Sequence, residues 1–154
     1  MVTETPSSMK TTALRALKRG LLLYWSLWCS VVFAMQAIAG LQALGVIGKG
    51  DLPLMSPSHV VFSRAAGERG AWRVAVILWE GATAVIFWLA FHGFHGGKRF
   101  YPRALAAAFT LALTLYATFA VIDRVLWSPS YETTHLAILA ALAASLLAIW
   151  LAPE

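Results

Sequence analysis

Apolar residues in this chain fall in long unbroken runs instead of the alternating or striped patterns of a soluble fold. Four runs stand out, at 21–47, 74–94, 104–126 and 131–151. Each has about the length of the roughly 20 residues a helix needs to cross a hydrocarbon core. The pattern predicts an all-α membrane protein, with four transmembrane helices in a compact up-down bundle. Residues 1–20 form a basic lead-in, and the transmembrane domain occupies 21–151. Within the lead-in, Met9, Ala13, Leu14 and Leu17 share one helical face with Lys10, Lys18 and Arg19 around it, which suits an interfacial segment whose basic heads reach for phosphates.

The links carry turn chemistry. The 48–72 link opens with Gly48-Lys49-Gly50-Asp51 and two prolines, and its second half, from Val60 to Arg73, predicts a short surface helix ended near Gly67–Gly70. This longest link is a natural place for contact with another subunit, and His59 there fits a solvated loop histidine. Gly96-Gly97 should end the second span. Ser128-Pro129-Ser130-Tyr131-Glu132 has a serine cap with an acid in the first turn, where the positive helix end favours it.

Composition sharpens this picture. The 154 residues are 60% hydrophobic and only 12% charged, against about 25% charged in soluble domains. Charge then sets an orientation. Lys10, Arg15, Lys18 and Arg19 precede the first span against Glu4 alone, and Lys98, Arg99 and Arg103 fill the 95–103 link without an acid, whereas the other two links mix signs. The positive-inside rule places both termini and the 95–103 link in the cytoplasm and the 48–72 and 127–131 links on the periplasmic or external side. The net charge of +5 is spent flanking spans and forms no patch interleaved with aromatics, so nucleic acid is not an expected partner. Ala37-Ile38-Ala39 resembles a signal-peptidase site. The apolar run continues beyond it to Ile47, which predicts a retained span. Cys29 is the single cysteine, so no intrachain disulfide can form.

The candidate chemistry centres on Glu80, a carboxylic acid inside the second apolar run. An acid at the centre of a span costs about 2.5–3.5 kcal/mol on insertion scales and so needs a partner, a proton or water. Three features are candidates to meet it. Thr110, Thr114 and Thr118 lie at i,i+4 spacing on the third span and either face Glu80 as a hydroxyl stripe or bond their own helix carbonyls. Gln36 on the first span is either a partner for Glu80 or glue between two helices. His92 and His95 share a helical face and offer haem or metal ligation, but they sit at a span boundary where histidines contact water and headgroups. Glu132-x-x-His135 has the spacing of carboxylate-bridged metal bundles, yet lacks the second such motif those need. The fourth span carries two small-residue rows, Ala137, Ala141 and Ser145, and Ala140, Ala144 and Ala148, which suit close helix packing or an external subunit. Trp25, Trp28, Trp72, Trp127 and Trp150 fit an aromatic belt at the boundaries.

Four spans, the Trp-Glu-x-x-Thr-Ala element at 79–84 and the Leu-Ala-Pro-Glu end at 151–154 resemble the small integral membrane proteins of the DUF2165 type. The resemblance implies a short bacterial four-helix protein with an acid in its second span, and it implies no activity. The sequence carries no phosphate loop, Cys-x-x-Cys or nucleophile elbow, so an enzyme is not expected and no cofactor is required. The leading expectation is a non-catalytic accessory or anchor subunit of a respiratory or photosynthetic membrane complex, with other membrane subunits and the bilayer as partners. The alternative is a homo-oligomeric transporter, channel or proton-coupled carrier with Glu80 as the protonatable site. A third is a quinone- or haem-binding subunit using His92 and His95.

Overall fold

The computed structural model describes residues 6–43, 45–47, 70–126 and 129–151. They form four helices, α1 (Pro6–Ala43), α2 (Gly70–His95), α3 (Tyr101–Leu126) and α4 (Pro129–Leu151). All four are long and apolar enough to cross a membrane, and the protein is a multi-pass, all-α four-helix bundle. His59, the 48–69 part of the link and residues 152–154 lie outside the described residues. The surface helix expected over 60–73 falls largely there too, and Gly70–Arg73 belong to α2.

The lead-in and first span are one continuous helix of 38 residues, and that helix stops short of Ile47. Its end is a glycine cap: Gly45 has φ +72°, its N–H donates to the Gln42 carbonyl at 3.1 Å, and Val46 N–H donates to the Leu41 carbonyl at 3.0 Å. The same motif ends α2, with Gly97 at φ +59°, Gly97 N–H on the Phe94 carbonyl and Lys98 N–H on the Gly93 carbonyl. A left-handed residue at this position costs glycine little and satisfies carbonyls that a helix end would otherwise orphan.

Neighbouring helices run antiparallel. Along α1 and α2, Phe33 meets Gly81, Gly40 meets Ile77 and Ser30 meets Trp88. On the other face of α2, Phe87 packs against Phe109 and Phe94 against Tyr101. At the far end, Arg124 of α3 pairs with Glu132 of α4 at 3.0 Å, and His135 lies against Tyr116 and Phe119. The helix α3 is the hub: 44% of its spanning window is buried, against 17% for α4. Its Leu105, Ala108, Phe109, Ala112, Leu115 and Phe119 meet Leu22 and Trp25 of α1, Phe87 of α2 and Leu142 of α4 in one apolar core. Contact between α1 and α4 is thin, so the bundle has one loosely closed side.

Expectations for three residues change, and Trp28, like Trp25, lies within the bundle instead of a boundary belt, its Nε1 donating to the Tyr116 hydroxyl. Trp25 is in the core and not in a boundary belt, 2% exposed and stacked on Phe87, because its position on α1 faces α2. Lys18 is also buried, whereas the lead-in pattern places it at the interface with its head reaching for phosphates. The helix simply continues through residue 18, and that face turns toward α3 and α4. Trp150, 78% exposed, keeps the peripheral position expected of it. The side chains of Trp72 and Trp127 lie outside the described residues.

Candidate functional site: a buried acid at a three-helix junction

Glu80 sits on α2 about four and a half residues, roughly 7 Å at about 1.5 Å per residue, from the centre of the Val74–His95 span. It is displaced away from the basic end of the bundle. Its side chain is 3% exposed and shares a small cavity of about 10 Å³ with Cys29 and Val32 of α1, Thr83 of α2, and Leu115 and Tyr116 of α3. Its Oε2 has no hydrogen-bond partner. Three helices therefore converge on one carboxyl group, and α4 stands outside.

The reason they converge there lies in the neighbouring residue. A Cβ on Gly81 would come within 2.9 Å of the Phe33 ring, so glycine lets α1 lie this close to α2 at the level of Glu80 without displacing that ring. Three tryptophans then tie the trio together. Trp28 Nε1 of α1 donates to the Tyr116 hydroxyl of α3 at 3.2 Å. Trp79 Nε1 of α2 donates to the Leu111 carbonyl of α3 at 3.2 Å, and Trp88 Nε1 of α2 donates to Ser30 Oγ of α1 at 3.0 Å. Each link satisfies an indole N–H inside hydrocarbon, where water cannot do so.

The polar groups around Glu80 are largely committed elsewhere. Thr83 Oγ1 donates to the Trp79 carbonyl at 2.8 Å. Tyr116 accepts from Trp28, which leaves its own O–H to donate. Cys29 contributes a thiol, a weak donor. A cavity of this size is close to the smallest that admits one water molecule. The junction has room for a proton on the carboxyl group and one small protic group beside it.

The residues expected from sequence divide sharply. Thr110 and Thr114 lie on the exposed outer face of α3 and Thr118 is half-buried. Thr114 Oγ1 donates to the Thr110 carbonyl and Thr118 Oγ1 to the Thr114 carbonyl, both at 2.7 Å. Of the two alternatives for this stripe, the structure has the second: the hydroxyls bond their own helix and do not line the Glu80 cavity. The reason is rotational, since Leu115 and Tyr116, one and two residues past Thr114, are the positions that face inward. Gln36 is half-buried, one turn beyond Val32, and does not line the cavity either. Cys29, Thr83 and Tyr116 replace them. Only Thr83 carried a sequence signal, three residues from Glu80 on the same helical face.

His92 and His95 are exposed at the end of α2, His92 stacking on Trp88 at 5.8 Å between ring centroids. No group of three or more metal-binding side chains occurs among the described residues. Glu132 engages Arg124 through both carboxylate oxygens, at 3.0 and 3.3 Å. On α4 the alanines divide: Ala137, Ala140, Ala141 and Ala144 face outward, Ala148 is half-buried, and Ser145 is buried, its Oγ donating to the Ala141 carbonyl. Ile138, Leu142 and Ile149 form most of the inward face.

Comparison with known proteins finds no matching family model, no similar curated protein and no similar solved structure.

Proposed function

We propose that the protein is a non-catalytic subunit of a larger bacterial inner-membrane assembly, of respiratory or photosynthetic type, with both termini in the cytoplasm. The observation that carries this is the outward face of α4. Ala137, Ala140, Ala141 and Ala144 are exposed there on a helix held mainly by α3. In a bilayer, helices associate through close van der Waals approach, which small side chains permit, since lipid tails are as apolar as leucine. A face of alanines set on the outside of a bundle already packed from within suits a second protein better than lipid. Gentle extraction followed by native mass and identification of associated chains tests this. A defined hetero-assembly is expected. A monodisperse protein that stays equally abundant without any other subunit sinks the idea. Orientation is tested separately by placing a reactive cysteine at residue 98 or 56 in a Cys29→Ser background, the first expected to be shielded from an external impermeant reagent and the second labelled.

A second reading rests on a different observation, the unpartnered Oε2 of Glu80. On it, the protein is a small proton-coupled carrier in which Glu80 holds the proton, with Tyr116, Cys29 and Thr83 beside it. Proton flux in liposomes that disappears in Glu80→Gln supports it, and equal flux in that variant removes Glu80 from any mechanism. A haem- or quinone-binding role through His92 and His95 has no such observation behind it. The resemblance of residues 79–84 to DUF2165-type proteins fits both readings and favours neither.

A further inference from the structure

We infer that the cleft at the basic end of the bundle, between α1, α3 and α4, binds the phosphate group of an anionic membrane lipid, with Lys18 supplying the charge. Lys18 is only 7% exposed, although Arg15 and Arg19 on the same helix are exposed. The Lys18 stem packs inside the bundle and holds the ammonium group at the cleft, where a fixed positive charge favours an anion. The salt bridge among the described residues joins Arg124 to Glu132 at the opposite end of the bundle, and Glu80 lies near the middle. Lys18 instead lines a half-enclosed cleft of about 220 Å³, together with Tyr101, Pro102, Leu105, Ile149 and Trp150.

Three further features suit an anionic head on an apolar tail. First, the cleft includes the opening turn of α3, which contains no acid, so the positive helix end adds to the field of Lys18. Second, Arg15, Arg19, Lys98, Arg99 and Arg103 are all at this end, because α1 and α3 begin here and α2 ends here. Basic pockets of this kind between spans recognise anionic headgroups. Third, the rest of the wall is apolar: Leu105, Ala106, Ile149 and the largely exposed Trp150. The thin contact between α1 and α4 lets the cleft open sideways, so an acyl chain can follow the bundle below a phosphate held at Lys18. A free phosphate would use the charge and leave that wall unused. The side-chain carboxylate of Glu154 is the rival occupant.

Native mass spectrometry of the purified full chain tests the assignment, using short-chain phosphatidylglycerol, short-chain phosphatidylcholine and inorganic phosphate as separate probes. Phosphatidylglycerol is expected to bind at least about tenfold more tightly than phosphatidylcholine, a preference retained in Arg19→Gln and lost in Lys18→Gln and in Ala106→Trp. If Lys18→Gln fails to fold, Ala106→Trp decides alone, because it fills the cleft and leaves the charge. Equal phosphatidylglycerol binding by that variant, or by folded Lys18→Gln, overturns the proposal. Inorganic phosphate binding as tightly as the lipid overturns the lipid as occupant. Removal of residues 152–154 is expected to leave affinity unchanged, and a tenfold gain would make the chain's own tail the occupant.

Discussion

At the scale of single residues, Glu80 and Gly81 act as a pair, one supplying the chemistry and the other the space. Gly81→Leu is expected to destabilise the bundle by about 1–3 kcal/mol, the usual cost of overpacking, whereas Gly81→Ala costs less because the half-buried Phe33 ring can yield. Thermal unfolding in detergent separates the two. For Glu80 the expectation runs the other way. A buried oxygen without a partner costs roughly 1–3 kcal/mol, so Glu80→Leu should stabilise the fold by about that amount in an SDS titration. A loss of stability instead would mean that the carboxyl group has a partner in the membrane. Thr114→Val should change stability by less than about 0.5 kcal/mol, as exposed substitutions do, and leave any flux unaltered. The acid at position 80 was legible in the sequence because a charge within an apolar run stands out. Thr83 was legible with it, three residues away on the same face, but Cys29 and Tyr116 were not, since they are ordinary members of apolar spans until packing brings them together.

Among the helices, the diagonal from α1 to α3 determines the shape of the site. These two run parallel and are joined across the junction by Trp28 and Tyr116. A double-mutant cycle with Trp28→Phe and Tyr116→Phe is expected to give a coupling of about 0.6 kcal/mol, the average for polar contacts between spans. A value indistinguishable from zero would mean that this link adds nothing beyond packing. The pair formed by Arg124 and Glu132 is a weaker tie. The Arg124 side chain is 73% exposed, so Arg124→Ala should cost less than about 1 kcal/mol. Helix ends were readable where glycine dictated them, as at Gly96-Gly97. The first span ended earlier than its apolar run because Gly45 caps the helix while Val46 and Ile47 extend the hydropathy pattern without extending the helix.

For the whole molecule, the proposed partner surface on α4 is open to a direct test. Ala140→Trp places a large ring on its outward face without touching Leu142 or Ile149, so it should leave the isolated bundle as stable as before and abolish recovery of associated subunits. Equal recovery would move the interface elsewhere, with the exposed side of α1 the next surface to test. Lipid retention at Lys18 should be indifferent to that substitution, because the cleft and the alanine face are separate features of α4.

The sequence by itself determined the class of this protein, because hydrocarbon admits few solutions: a run of about 20 apolar residues must satisfy its backbone internally, so it becomes a helix. It also determined the charge asymmetry between the two ends and the presence of one acid within a span. Helical rotation was decided only by the tertiary structure. Residues such as Thr114 and Tyr116, or Arg19 and Lys18, are one or two positions apart in sequence and nearly equally deep, yet the fold turns one outward and the other inward. In a span that is apolar all round, hydropathy has no face to read. Core packing, the fit of Gly81 to Phe33 and the hydrogen bonds of Trp28, Trp79 and Trp88 select which side chains meet.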